Sequence, residues 1–104
     1  MADARWIRAA KISDIAEGAG VVFGPEDQKI AVFKSGGNFF AIDNTCPHRG
    51  GPLAEGYVEN FEVICPWHAW TFDVKTGACI SVPGVQINTY LVKTEGDDVF
   101  VQLR

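Results

Sequence analysis

Histidine is nearly absent from this chain, at 2 in 104 residues, and cysteine is hardly commoner at 3. An odd cysteine count does not make a disulfide framework. Basic residues are few too, 9 Lys and Arg against 13 Asp and Glu for a net charge of −4, and they are scattered along the sequence. Without a basic cluster there is no electrostatic footprint for nucleic acid. No apolar run approaches the roughly 18 residues that cross a bilayer, which argues against a membrane role. The opening Met1-Ala2-Asp3-Ala4-Arg5-Trp6 has neither a basic start followed by an apolar stretch nor a twin arginine, so the expectation is no export signal and a cytoplasmic location. A glycine fingerprint for flavin or nicotinamide is missing as well. With 47% hydrophobic and 21% charged residues, the chain reads as a soluble globular domain. One domain of this length buries roughly 65% of its unfolded surface and can fold around its own core.

Long helical patterns are also lacking. Short apolar runs recur instead at Trp6–Ala10, Val21–Phe23, Ile30–Phe33, Phe39–Ile42, Phe61–Cys65, Trp70–Asp73, Ala78–Ile80, Thr89–Lys93 and Val99–Leu103. Polar, glycine-containing turns separate them, which predicts an antiparallel all-β domain. Ser35-Gly36-Gly37-Asn38 predicts a hairpin, because glycine adopts the positive φ that tight hairpin turns require. Val74-Lys75-Thr76-Gly77 and Glu95-Gly96-Asp97-Asp98 predict two more. Ser13–Ile15 reads as a single turn, Gly50–Gly56 as irregular, and Ser81–Gly84 as a loop.

What histidine and cysteine there is stands together. Cys46-Pro47-His48 is followed after sixteen residues by Cys65-Pro66-Trp67-His68, each pair at the end of a predicted strand. Two thiolates and two imidazoles at this spacing make Cys46, His48, Cys65 and His68 candidate metal ligands. A Cys2His2 structural zinc module uses the same donors, although zinc fingers usually pair like with like whereas each pair here is mixed. The remaining Cys79 lies in an apolar context and reads as a small core residue.

The pattern C-x-H then C-x-x-H resembles the binding motif of Rieske [2Fe-2S] proteins, in which cysteines hold one iron and histidines the other. That resemblance implies an all-β, Rieske-type antiparallel fold over residues 1–104. It also implies a basal β-domain with an inserted, smaller cluster-binding subdomain at about 45–84. It assigns Cys46, His48, Cys65 and His68 to one [2Fe-2S] cluster per chain. Two neutral imidazoles in place of two thiolates make the cluster less negative and raise its potential, to about −150 to +300 mV against about −400 mV for plant-type ferredoxins. The ring nitrogen that each histidine leaves free predicts a potential that declines with pH once the oxidised form loses a proton.

Departures from the high-potential respiratory members narrow the branch. Their disulfide cysteines align with Gly51 and Trp67, and their serine and tyrosine hydroxyl donors align with Trp70 and Phe72. Loss of two donors to the cluster sulfurs predicts the low end of the range, around −150 mV or modestly above. The stretches His48–Gly56 and Cys65–Asp73 are similar to those of ferredoxins in bacterial aromatic-ring oxygenase systems. They are also similar to the small subunit of NAD(P)H-dependent nitrite reductases. The implied role is single-electron transfer from a flavin-containing reductase to a terminal oxygenase, or service to a nitrite reductase large subunit. In neither case is the chain itself an enzyme, since it has no further histidine with which to build an oxygenase's second iron site. Pro83 falls where the family places a third loop over the cluster. Trp70 and Phe72 are expected in the interior, Trp67 and Arg49 beside the ligands, and Glu55, Glu59 and Glu62 on a solvated stretch between them, with an acidic rim for a basic partner as the alternative.

Overall fold

The computed structural model describes residues 5–24, 29–45, 52–66 and 70–103. Among these residues ten strands form three antiparallel sheets: β1 (Arg5–Lys11), β2 (Gly20–Phe23), β3 (Ile30–Ser35), β4 (Asn38–Asp43), β5 (Tyr57–Glu59), β6 (Glu62–Ile64), β7 (Thr71–Asp73), β8 (Thr89–Tyr90), β9 (Val92–Glu95) and β10 (Asp98–Leu103). Their orders are β1-β10-β9, β2-β3-β4-β8 and β5-β6-β7. Two 3-10 turns, Ile12–Asp14 and Leu53–Glu55, complete the regular structure among the described residues.

The apolar run Ile30–Phe33 explains how the sheets stack. An antiparallel strand with one wet face alternates apolar and polar residues, whereas one covered on both faces is apolar throughout. All four residues are fully buried. Ile30 and Val32 join Ala41, Val99 and Val101 in one core, and Ala31 and Phe33 join Ile42, Leu53, Val63 and Phe72 in another. The β2-β3-β4-β8 sheet is thus the middle layer, with β1-β10-β9 on one side and β5-β6-β7 on the other.

The hairpin joining β3 to β4 turns on Gly36 and Gly37, at φ 62° and 81°. The Glu17 carboxylate accepts from both of their N–H groups, at 2.7 and 3.3 Å. Other expectations need correction. The strand expected from Phe61 begins at Glu62, because Asn60 and Phe61 form the turn from β5, with φ 53° and 63°. A left-handed phenylalanine costs roughly 1–2 kcal/mol. Tertiary packing offsets that cost: its ring meets Phe40 edge to face with centroids 5.7 Å apart and carries the Lys75 ammonium 4.0 Å above it.

Thr89–Lys93 is not one strand. β8 pairs with β4 in the middle sheet, the chain crosses at exposed Leu91, and β9 pairs with β10. The last hairpin is therefore β9–β10, turning on Gly96-Asp97 between paired Glu95 and Asp98. Ala78–Ile80 forms isolated bridges rather than a strand, because it is shared: Cys79 pairs with Phe72, while Ala78 pairs with Gln86. Gly50–Gly56, expected to be irregular, contains the Leu53–Glu55 turn, closed by the Gly56 N–H to Leu53 O at 2.9 Å.

Candidate metal centre

Of the four candidate ligands, Cys65 lies within the described residues; Cys46, His48 and His68 lie outside them, as do Arg49, Gly51 and Trp67. Among the described residues no cluster of histidine, cysteine and carboxylates is grouped for a metal ion. What the described residues supply is the frame from which the candidate ligand stretches leave and to which they return.

β4 delivers the first stretch. Its last residue, Asp43, is held by three contacts: its N–H donates to Asn88 O at 3.0 Å, and its carboxylate accepts from the Asn88 N–H at 2.9 Å and the Tyr90 hydroxyl at 2.7 Å. Asn44 follows, buried and with its N–H on Lys29 O at 3.0 Å. Its carbonyl accepts from the Leu53 N–H at 2.7 Å and its side-chain Oδ1 from the Ala54 N–H at 2.8 Å. Thr45 bridges Pro52. The chain that leaves β4 toward Cys46 is thus fastened, where it returns, to the residue it left from.

β6 delivers the second stretch, which opens immediately after Ile64 with Cys65, a free thiol only 2% exposed. The Cys65 N–H donates to Trp70 O at 2.8 Å, closing the base of that stretch as β7 begins. The two bases adjoin. A Cβ placed on Gly56, just past the first, would overlap the carbonyl oxygen of Ile64, just before the second. Leu53 and Cys65 share one core.

A third segment is tied to the same place. The Thr71 N–H donates to Ser81 Oγ at 3.0 Å, the Ile80 N–H to Thr71 O at 2.7 Å, and the Val82 N–H to Cys79 Sγ at 3.4 Å. These set the loop bearing exposed Pro83 against the start of β7. Cys79, 6% exposed, is the core residue expected, and its sulfur also accepts a hydrogen bond. Phe72 is fully buried; Trp70 is only partly buried against the same core. Glu55, Glu59 and Glu62 are exposed and join none of the ion pairs found among the described residues.

Sequence reasoning missed Asn44 and Gly56. Asparagine at a strand end before a glycine-rich stretch is a recognisable signal for side-chain-to-backbone bonding. Gly56 gave no signal, because what it avoids is a strand eight residues later.

A buried thiol outside any disulfide, at the rim of two adjoining strand ends, fits a thiolate donor to an iron-sulfur group. Comparison with known proteins agrees. The chain is 38% identical over 100 residues to the ferredoxin component of the naphthalene 1,2-dioxygenase system of Pseudomonas putida, covering 95% of this chain and 96% of that one. Its fold is similar to that in a complex of reduced oxygenase and oxidized ferredoxin of carbazole 1,9a-dioxygenase, with TM-score 0.84, 28% identity, and 93% and 92% of the two chains covered. It is likewise similar in fold to a protein described as an NADH-dependent nitrite reductase small subunit from Mycobacterium tuberculosis, with TM-score 0.90, 22% identity, and 99% and 98% covered. The model of the Rieske [2Fe-2S] domain matches residues 5–91, and with that match the chain belongs to the Rieske [2Fe-2S] family.

Proposed function

We propose that the chain is a single Rieske domain, with its cluster-binding part at about 45–84, and that Cys46, His48, Cys65 and His68 hold the [2Fe-2S] cluster. In this reading it is a ferredoxin that carries single electrons from a flavin-containing reductase to a terminal oxygenase in the cytoplasm. The observation that carries the assignment is Cys65: a free, buried thiol at the end of β6, where the bases of both ligand stretches adjoin. When bound, the cluster supplies a one-electron couple. The protein's part is to hold the ligands and exclude water. Fixing Asp43 and Asn44 on one side and Cys65 on the other keeps the ligand-bearing ends from spreading between redox states. Trp70 and Phe72 carry no hydroxyl, so the two hydroxyl donors of the high-potential members are missing, which favours a potential at the low end of the family range. Two free thiols among the described residues suit a reducing compartment.

Support for the oxygenase role comes from relatives whose names place them as ferredoxin components of dioxygenase systems. The nitrite reductase small-subunit role rests on fold likeness at 22% identity, and the oxygenase role is preferred.

Anaerobic purification tests the reading. The expected protein is brown-red, holds two irons and two sulfides, bleaches on reduction, and gives an EPR signal with the low average g-value of histidine ligation. A colourless, zinc-loaded protein refutes it in favour of the structural zinc module.

A further inference from the structure

The small sheet has two kinds of outward row. On its inner side Val58, Val63, Phe72 and Cys79 lie in register across β5, β6, β7 and the bridge beyond, and all are buried. Side chains alternate faces along a strand, so the residues on either side of this row point outward. Toward Cys65 the outward row is Tyr57, Ile64, Thr71 and Ile80, with Tyr57 paired to Ile64, Ile64 to Thr71, and the Ile80 N–H on Thr71 O. Tyr57 is 58%, Ile64 40% and Ile80 49% exposed; they are three of the five large apolar side chains exposed among the described residues. Away from Cys65 the outward row is Glu59, Glu62 and Asp73, again in register.

Folding accounts for neither the apolar row nor Glu59 and Glu62; of the acidic row only Asp73 has a turn role, its Oδ1 accepting from the Lys75 and Thr76 N–H groups at 2.7 and 3.3 Å. Exposed apolar residues scattered singly need no explanation, but three in one cross-strand row do. Like charges directly opposite one another destabilise a sheet, and Glu59 faces Glu62, which faces Asp73. Among the described residues neighbouring Lys75 forms no ion pair with them; its ammonium sits over the Phe61 ring. A cationic surface laid on the sheet relieves the repulsion of the acidic row while its apolar part covers Tyr57, Ile64 and Ile80.

We propose that this outward face is the docking surface for a redox partner that presents an apolar patch bordered by Lys and Arg. The apolar row supplies contact area beside the last residue before Cys65, and the acidic row sets orientation and encounter rate. The inference rests on the electron-carrier reading above.

The test uses the holoprotein, reduced with dithionite, and cytochrome c as a basic acceptor: one electron leaves the ferredoxin and converts ferric haem to ferrous. Dichlorophenolindophenol, a small acceptor needing no docking face, is measured in parallel. Glu59→Lys with Glu62→Lys is expected to slow cytochrome c reduction about tenfold or more at low salt, the difference closing at high salt. Tyr57→Ser with Ile80→Ser is expected to slow it severalfold in a salt-independent way. Visible spectrum, midpoint potential and the rate with the dye stay unchanged in both. Equal cytochrome c rates in all variants overturn the docking face and leave the carrier reading standing. So does a wild-type dimer in solution that Ile80→Ser converts to monomer, because a second copy then covers the row. A protein unable to reduce even the dye overturns the carrier reading and the docking face with it.

Discussion

Replacing Asn44 by alanine removes the acceptor that joins the two ends of the Cys46-bearing stretch. In the native protein Asn44 Oδ1 takes the Ala54 N–H at 2.8 Å in a residue 7% exposed. The variant loses a side-chain hydrogen bond with a net value of about 1 kcal/mol. It also leaves a partly buried N–H without its partner, at a further cost of about 1 kcal/mol or more. A loss of about 2 kcal/mol in a domain of this size lowers Tm by roughly 8–16 °C. Thermal unfolding of the cluster-loaded protein reads the total, and hydrogen exchange at the Ala54 amide reads the local part, which is expected to speed up severalfold or more. Asn44→Asp keeps an acceptor in place and is expected to recover most of the exchange protection. Because Leu53 N–H still bonds the Asn44 carbonyl in both variants, the stretch is loosened and not released. A Tm within a degree or two of wild type, with unchanged exchange at Ala54, refutes the claim that this contact fastens the stretch.

Three further outcomes are expected. Cys65→Ser replaces the one ligand candidate seen in the described residues by a poorer donor, and iron and sulfide content after anaerobic purification should fall to a small fraction of wild type; full occupancy would remove Cys65 from the ligand set. Gly56→Ala should cost about 2 kcal/mol or more in denaturant unfolding, because its Cβ meets the Ile64 carbonyl rather than open space, whereas Gly→Ala at a compatible, open site stabilises by roughly 0.4–1 kcal/mol; a neutral Gly56→Ala would mean that the two bases are not in contact. A redox titration should place the midpoint near −150 mV or modestly above, and a value beyond about +200 mV would show that backbone donors and burial outweigh the missing hydroxyls of Trp70 and Phe72.

Local chemistry made much of the fold legible. Gly36-Gly37 between two apolar runs specifies its hairpin from sequence alone, since few other residues adopt that backbone without strain. Ile30–Phe33, apolar without alternation, marks the strand that both cores enclose. What could not be read depends on distant partners. The turn at Asn60-Phe61 has no glycine and exists because Phe40 and Lys75 hold the Phe61 ring. Nothing near Thr89–Lys93 says that the chain changes sheets at Leu91, because that choice belongs to β4 and β10. The centre divides in the same way. Mixed cysteine and histidine pairs mark a metal site by donor chemistry and the resemblance to the Rieske motif names the cofactor, but the role of Asn44 rests on an N–H ten residues on, and that of Gly56 on a carbonyl eight residues on.

The pairing of β1 with β10 has a consequence for how the protein is made. Arg5 lies opposite Leu103, so β1 leaves the ribosome long before the strand that pairs with it. At about 5–20 residues per second, β1 waits on the order of 5–20 s with that edge open. The middle layer and the β5-β6-β7 sheet need no residue beyond Tyr90 for their own strand pairing, and so can assemble during that interval. During that interval β1 is the strand left waiting for its partner, and a chaperone that shields Trp6–Ala10 is expected to protect the folding chain more than one that shields Cys46–His68.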